Sequence, residues 1–285
     1  MTRLAQTCLV VLGAVTLAAL AGPVLAPADA TGIARLADAR LIAPLASDAA
    51  GHLHLLGTDR FGRDLLVRML LAARISLLVG VAGSALASLL GLALGAIAGW
   101  RRGALDVVLM GIADTILAVP RLVLLLLCAA LWQPGTSTVV VVLAATGWMS
   151  VARLVRADVR GLATRPFVDA AHALGATPDR VLWRHVVPNA LGPLLVATTL
   201  GVGNAILLES GLSFLGLGVQ PPSPSWGNMI AGGRDLIVIA PWVSLAPGLA
   251  LVVTVVCCTL LGDALEARLR GEQRGAAREF AGRSS

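Results

Sequence analysis

The 285-residue sequence contains no lysine, so all 22 of its side-chain cations are arginine. Charged residues of both signs make up only 13% of the chain, about half the share found in a soluble domain. A water-soluble fold of this size needs far more polar surface, which excludes an ordinary globular domain. The four cysteines, Cys8, Cys128, Cys257 and Cys258, lie in apolar runs without the spacing of a zinc site or a disulfide framework. They read as small lipid- or core-facing residues. Histidine occurs only at positions 52, 54, 172 and 185, outside every apolar run. Ser213 in Gly211-Leu212-Ser213 therefore has no base within the membrane, which argues against a membrane-embedded protease. No G-x-x-x-x-G-K-[ST] segment occurs, so the chain cannot cradle a nucleotide by that route.

What is present is apolar: 57% of residues are hydrophobic and the mean hydropathy is +0.86. The net charge of +6 would suggest nucleic acid in a soluble chain. Here the arginines cluster at the ends of apolar runs, where positive-inside topology places them, and no nucleic-acid partner is expected. Arg3 precedes an apolar run from Cys8 to Ala26. The following Ala26-Pro27-Ala28-Asp29-Ala30 allows a signal-peptide reading, but the run is nearly long enough to span a bilayer. An uncleaved first helix with its amino end in the cytoplasm is preferred. Residues 1–74 then comprise that helix, an extracytoplasmic loop and an interfacial helix, the last from the helical spacing of Leu66, Met69, Leu70 and Ala73 among Arg63, Arg68 and Arg74. His52 and His54 in this loop read either as ordinary loop residues or as a weak metal site.

Five more spans are expected. Ile75–Trp100 carries no charge and sets Gly91, Gly95 and Gly99 four apart on one face, a pattern that favours close helix packing. Arg101 and Arg102 mark a cytoplasmic turn. A third span from about Val108 to Leu131 is interrupted by Asp114, Pro120 and Arg121. Asp114 and Arg121, seven residues apart, fall on roughly one face and can pair with each other or with a neighbouring helix, as packing anchors or pore residues. A fourth span, Val139–Ala152, ends in Arg153, Arg156 and Arg160. A fifth, Ala190–Leu208, closes on Glu209, another polar pore or packing candidate, and a Pro- and Gly-rich outer loop runs from Gly211 to Pro241. The sixth covers Trp242–Leu261, and the arginine-bearing tail of residues 271–285 is expected to be disordered. Arg60, Arg63, Arg68 and Arg74 fall on the outer side against this pattern, as a long loop and an interfacial helix permit.

The longest inward loop reads FVDAAHALGATPDRVLWRHVVPN from Phe167 to Asn189. Asp169-Ala170-Ala171 starts a short helix with Gly175 as its natural stop. Thr177-Pro178-Asp179 starts a second, with Thr177 as N-cap and Pro178 at the first helical position. Val181, Leu182, Val186 and Val187 form its apolar stripe, and Pro188 is expected to end it. Two short helices joined at a glycine elbow make a compact knob.

This loop resembles the EAA motif of ABC importer permeases, with Asp169 in place of the usual glutamate and His185-Val186-Val187-Pro188-Asn189 matching its closing pattern in the peptide branch. HLLGTDRFGRDLLVRMLLAARISL, from His54, and LSFLGLGVQPPSPSWGNMI, from Leu212, resemble other segments of the dipeptide, oligopeptide and nickel permeases. The resemblance covers roughly His54 to Arg270 and points to the C-type permease. It implies an all-α integral membrane protein of the type I ABC importer permease fold, its permease domain at 75–270 with a cytoplasmic coupling loop at 157–189. In that family the loop seats on the ATPase: Ala170 and Ala171 allow close approach, Gly175 supplies the elbow, Arg184 and His185 offer polar contacts, and Pro188 closes the loop. It further implies a subunit without catalysis of its own, with no metal or cofactor and with ATP and Mg on partner subunits. The implied partners are a second permease, two ABC ATPase subunits, an extracytoplasmic substrate-binding protein and membrane lipid. The implied place is a bacterial cytoplasmic (inner) membrane, multi-pass with both termini cytoplasmic, and the cargo is dipeptides or oligopeptides. A nickel transporter is the alternative within the family. A stand-alone secondary transporter would need ion-coupling acids, and Asp114 and Glu209 are the only serious candidates.

Overall fold

The computed structural model describes residues 3–25 and 39–283. The Ala26–Ala30 stretch that carries the signal-peptide alternative lies outside them. The fold is helical: α1 (Arg3–Leu25), a two-stranded hairpin of β1 (Ala46–Ser47) and β2 (Leu53–His54), α2 (Leu65–Arg101), α3 (Gly103–Leu117), α4 (Arg121–Leu131), α5 (Thr136–Leu162), α6 (Pro166–Ala173), α7 (Pro178–Val181), α8 (Val187–Phe214), α9 (Trp226–Gly233) and α10 (Trp242–Arg283). Among the described residues five helices are long and apolar enough to cross a membrane, and α3 with α4 forms a bent sixth candidate.

α2 is the spine. Its 37 residues extend about 55 Å at 1.5 Å per residue, well beyond a hydrocarbon core of about 30 Å. The separate interfacial helix expected at Leu65–Leu77 is instead the first part of α2. No Gly or Pro interrupts the chain between Leu65 and Val79, and Asp64 caps the start by accepting the Val67 N–H at 3.0 Å.

The glycine row does what its spacing suggests, against α5. A Cβ on Gly91 would stand 2.5 Å from Val151 Cβ, one on Gly95 2.4 Å from the Ala152 carbonyl oxygen, and one on Gly99 2.8 Å from that of Arg156. Only hydrogen fits there, so the two backbones lie in direct contact. On another side α2 meets α8, where Ser84 donates to the Thr198 carbonyl at 2.8 Å and Thr198 donates to Ser88 at 2.8 Å. These hydroxyls satisfy one another inside an otherwise apolar seam.

The third span departs from expectation. Rather than one interrupted helix, α3 and α4 meet at 89°. Pro120 lacks the N–H that a continuous helix needs and disfavours helical geometry at Val119, so the chain breaks and restarts at Arg121. The Gly211–Pro241 segment is also more ordered than a turn-rich loop. α8 continues to Phe214, and α9 folds back into the bundle, capped by Ser225 and Asn228 in a reciprocal capping box. Trp226 is buried, and a Cβ on Gly227 would meet Ser210 Cα at 2.5 Å. At the other end, α10 carries the helix through the tail to Arg283, where a disordered end is expected from sequence. That stretch lacks proline and is rich in Ala, Glu and Arg, all good helix formers.

Candidate coupling site

The knob is built by α6 and α7 between α5 and α8. α6 ends in a Schellman motif. The Gly175 N–H bonds the His172 carbonyl at 2.9 Å and the Ala176 N–H bonds that of Ala171 at 3.1 Å. Gly175 sits at φ +79°, a left-handed conformation that glycine adopts without a Cβ clash. Thr177 occupies the N-cap position of α7 with extended geometry, although its side chain makes no capping hydrogen bond.

The second arm of the knob does not end at Pro188. α7 runs through a π-helical turn, Leu182–Val186, directly into α8, and Pro188 lies within the first turn of α8. The wider turn, in which the Val187 N–H bonds the Leu182 carbonyl, absorbs the proline that would otherwise break the helix. Knob and membrane helix are therefore one continuous element from Pro178 to Phe214.

The expected apolar stripe of Val181, Leu182, Val186 and Val187 is buried, in one cluster with Val168 of α6, Ala96 of α2, Val155 and Val159 of α5 and Leu194 of α8. The His172 ring stacks on Trp100 at 6.3 Å between centroids, and Asp179 faces Arg101 at 3.5 Å. The latter pair is exposed and adds little stability; the buried cluster holds the knob at this end of α2.

The opposite face of α6 is open. Asp169, Ala170 and Arg184 are exposed, Ala171 and His185 are half-buried, and Pro188 is exposed. Phe167 and Leu174, one of them 89% exposed at Leu174, share a face with Ala170 at positions i, i+3 and i+7. Sequence reasoning missed this outward stripe. Its signal was a second apolar period in an eight-residue helix whose other period, Val168 and Ala171, already accounts for packing.

The polar candidates of the spans, Asp114, Arg121 and Glu209, all have partners on neighbouring helices. Asp114 does not meet Arg121, which lies beyond the 89° break; it pairs with Arg153 of α5, whose Nε donates at 3.0 Å. Arg121 turns toward α5, its Nη2 3.5 Å from the Leu143 carbonyl, at a void of about 50 Å³ among α2, α5 and α8. Glu209 is fully buried; its Oε1 accepts from Ser213 at 2.6 Å, and Oε2 lies 3.4 Å from the hydroxyls of Ser76 and Ser210. Ser76 also accepts the Trp226 N–H at 3.2 Å, so Glu209 ties α8 to α2 and to the start of α9. Asp106, unmarked in the sequence reading, is 5% exposed and grips two arginines of α5: Arg156, whose Nη2 donates at 2.8 Å, and Arg160.

In the hairpin, His54 Nδ1 lies 2.7 Å from Asp64 and His52 Nδ1 3.3 Å from Asp48. The His52 backbone N–H beside Asp48 holds that carboxyl below its ordinary pKa. Among the described residues no three His, Cys, Asp or Glu side chains are grouped to hold a metal.

A bundle of apolar helices bearing a two-armed helical knob at one end defines a membrane transport subunit, the permease class. The chain belongs to the family of binding-protein-dependent transport system inner membrane components, whose pattern matches residues 91–271. It is 46% identical over 209 residues to the probable peptide ABC transporter permease protein y4tQ of Sinorhizobium fredii, covering 73% of this chain and 72% of that one. It is 37% identical over 212 residues to the oligopeptide transport system permease protein OppC of Bacillus subtilis, covering 74% and 70%. Its identity to the di/tripeptide transport system permease protein DppC of Pseudomonas aeruginosa is 37% over 223 residues, covering 78% and 74%. In structure it is similar to a chain of the MetNI methionine ABC transporter in an inward-facing conformation, with a TM-score of 0.58, 20% identity, and coverage of 71% of this chain and 95% of that one. The last likeness establishes the fold.

Proposed function

We propose that this chain forms half of the translocation pore of an ATP-driven importer of dipeptides or oligopeptides and receives the force of ATP hydrolysis through the α6–α7 knob. The observation that carries this reading is the two-faced α6: Val168 is locked into the bundle core while Phe167, Ala170 and Leu174 stand free on the other side. A surface of this kind, held rigidly and left uncovered, suits a groove on an ATPase subunit. Peptide cargo is supported by the names of the relatives at 37–46% identity. The complete transporter would hold a second permease, two ATPase subunits that bind ATP and Mg, and an extracytoplasmic binding protein. This chain contributes no catalytic residue.

Packing contacts support the orientation. Gly22, near the end of α1, lies against Leu70 near the start of α2, so α1 runs antiparallel to α2 and its amino end points toward the knob side. Gly192, early in α8, lies against Leu269, late in α10, which brings the carboxyl end to the same side. With the knob in the cytoplasm, both termini are cytoplasmic and the Arg60–Arg74 region faces outward.

The test is affinity purification of the tagged chain in mild detergent, with co-purifying subunits identified and their ATPase activity assayed. Recovery of P-loop ATPases that is lost on Gly175→Val, with insertion intact, is the expected result. The Gly175→Val change forces a β-branched residue into left-handed geometry, a strain of about 1–2 kcal/mol or more, and reshapes the knob locally. Asp169→Ala should weaken the same association. A chain that purifies alone yet transports in liposomes would overturn the reading.

A further inference from the structure

At the end of α2 opposite the knob, a cleft of about 430 Å³ opens between the Asp59–Arg63 turn, the first turns of α2, and α9 with the Pro221-Pro222 strand of chain leading to it. Its walls are mostly apolar, from Phe61, Leu65, Met229 and Val243, and its charge is one-sided. Arg60, Arg63 and Arg68 line it against a single carboxylate, Asp59.

That carboxylate is largely committed. Asp59 accepts the backbone N–H groups of Phe61 at 2.8 Å and Arg63 at 3.0 Å, and Arg63 Nε at 2.8 Å. Arg68 Nε lies farther off, at 3.5 Å. The Arg68 side chain is only 9% exposed, yet its Nη1 has no hydrogen-bond partner among the described residues. A buried guanidinium N–H without an acceptor is unfavourable, so such groups normally have one. Phe61 lies between Arg60 at 4.8 Å and Arg63 at 4.6 Å, which holds Arg60 over the rim while its charge stays exposed.

We propose that this cleft binds the carboxylate of a short peptide, Arg68 taking the C-terminal carboxylate at its floor, Arg60 closing over it, and the apolar walls receiving the last side chain. The volume and the few convergent polar groups are those of a small-molecule pocket rather than of a flat protein-docking face. The guanidinium fork matches a carboxylate in two bonds. The proposal rests on the peptide-importer reading above and gives this permease a peptide-contacting group of its own.

The test uses the co-purified permease–ATPase complex, without binding protein, in phosphatidylcholine nanodiscs. Binding of Ala-Phe and of its C-terminal amide is measured by calorimetry. Ala-Phe should bind, with affinity falling about tenfold or more for the amide and for Arg68→Gln. Arg60→Gln, a change at an exposed side chain that leaves the fold intact, should weaken Ala-Phe severalfold and leave the amide unchanged. Equal binding of acid and amide, or no peptide binding by a complex that still hydrolyses ATP, would overturn the proposal while leaving the importer reading standing. So would arginine variants that bind Ala-Phe normally but lose association with the substrate-free binding protein, since the carboxylate would then be a protein side chain.

Discussion

The two ends of this bundle are both rich in arginine and use it in opposite ways. At the knob end, Arg153, Arg156 and Arg160 of α5 each reach a carboxylate of α3, Asp114 or Asp106, and so hold one helix to another, although the buried Arg160 Nε has no hydrogen-bond partner among the described residues. At the far end, Asp59 leaves Arg68 incompletely paired beside an open cleft. An arginine cluster at a membrane boundary is thus no single signal. Whether it means internal bracing or an exposed site depends on how many carboxylates fold back onto it.

Four substitutions test that contrast, apart from the knob variants above. The most damaging should be Gly95→Val on α2, which serves both ends. Its Cβ would meet the Ala152 backbone at 2.4 Å, where no side chain can swing away, and about 3 kcal/mol or more should be lost, read as a collapse of monodisperse protein in detergent. Asp106→Asn comes next. It strands two partly buried guanidiniums, and about 2–3 kcal/mol of stability should disappear from the thermal unfolding of the purified chain. Arg68→Gln, at the other end, should cost below about 1 kcal/mol in the same assay, because Nη1 gives up no bond. If the Arg68 and Asp106 variants melt alike, the two ends do not differ in the way described. Leu174→Asp should have the smallest effect on stability, within about 0.5 kcal/mol. ATPase recovery should nevertheless drop, which separates the outward stripe of α6 from its inward one.

Much of the architecture is legible in the sequence because the membrane imposes length and polarity directly. Five apolar runs, the Gly91–Gly99 row and the Gly175 elbow all follow from local pattern. The break at Pro120 is less legible, since a kinked span and a right-angled pair share the same residues. Only the packing of α4 on α5 decides between them. Asp106 is hidden for another reason: its partners lie 50 and 54 positions away, and those arginines are already accounted for as markers of topology. Pro188 misleads because proline normally stops a helix, whereas a π turn upstream removes the clash. The Arg68 cleft first shows as an anomaly, cations on the wrong side of the membrane, and only the fold turns that anomaly into a lined cavity.

The unbroken path from α7 through the π turn into α8 has a mechanical corollary. The 28 residues of α8 form a lever of about 42 Å. Tilted as a rigid rod by about 5° at the knob, it displaces its far tip by about 4 Å, and Pro193, which removes one rung of the ladder, is where a bend would absorb part of the motion. Glu209 rides near that tip, clasped by serines from α2 and its own helix. A small rotation imposed at one membrane face is delivered as a larger translation at the other, and the serine clasp is the catch it must carry along or release.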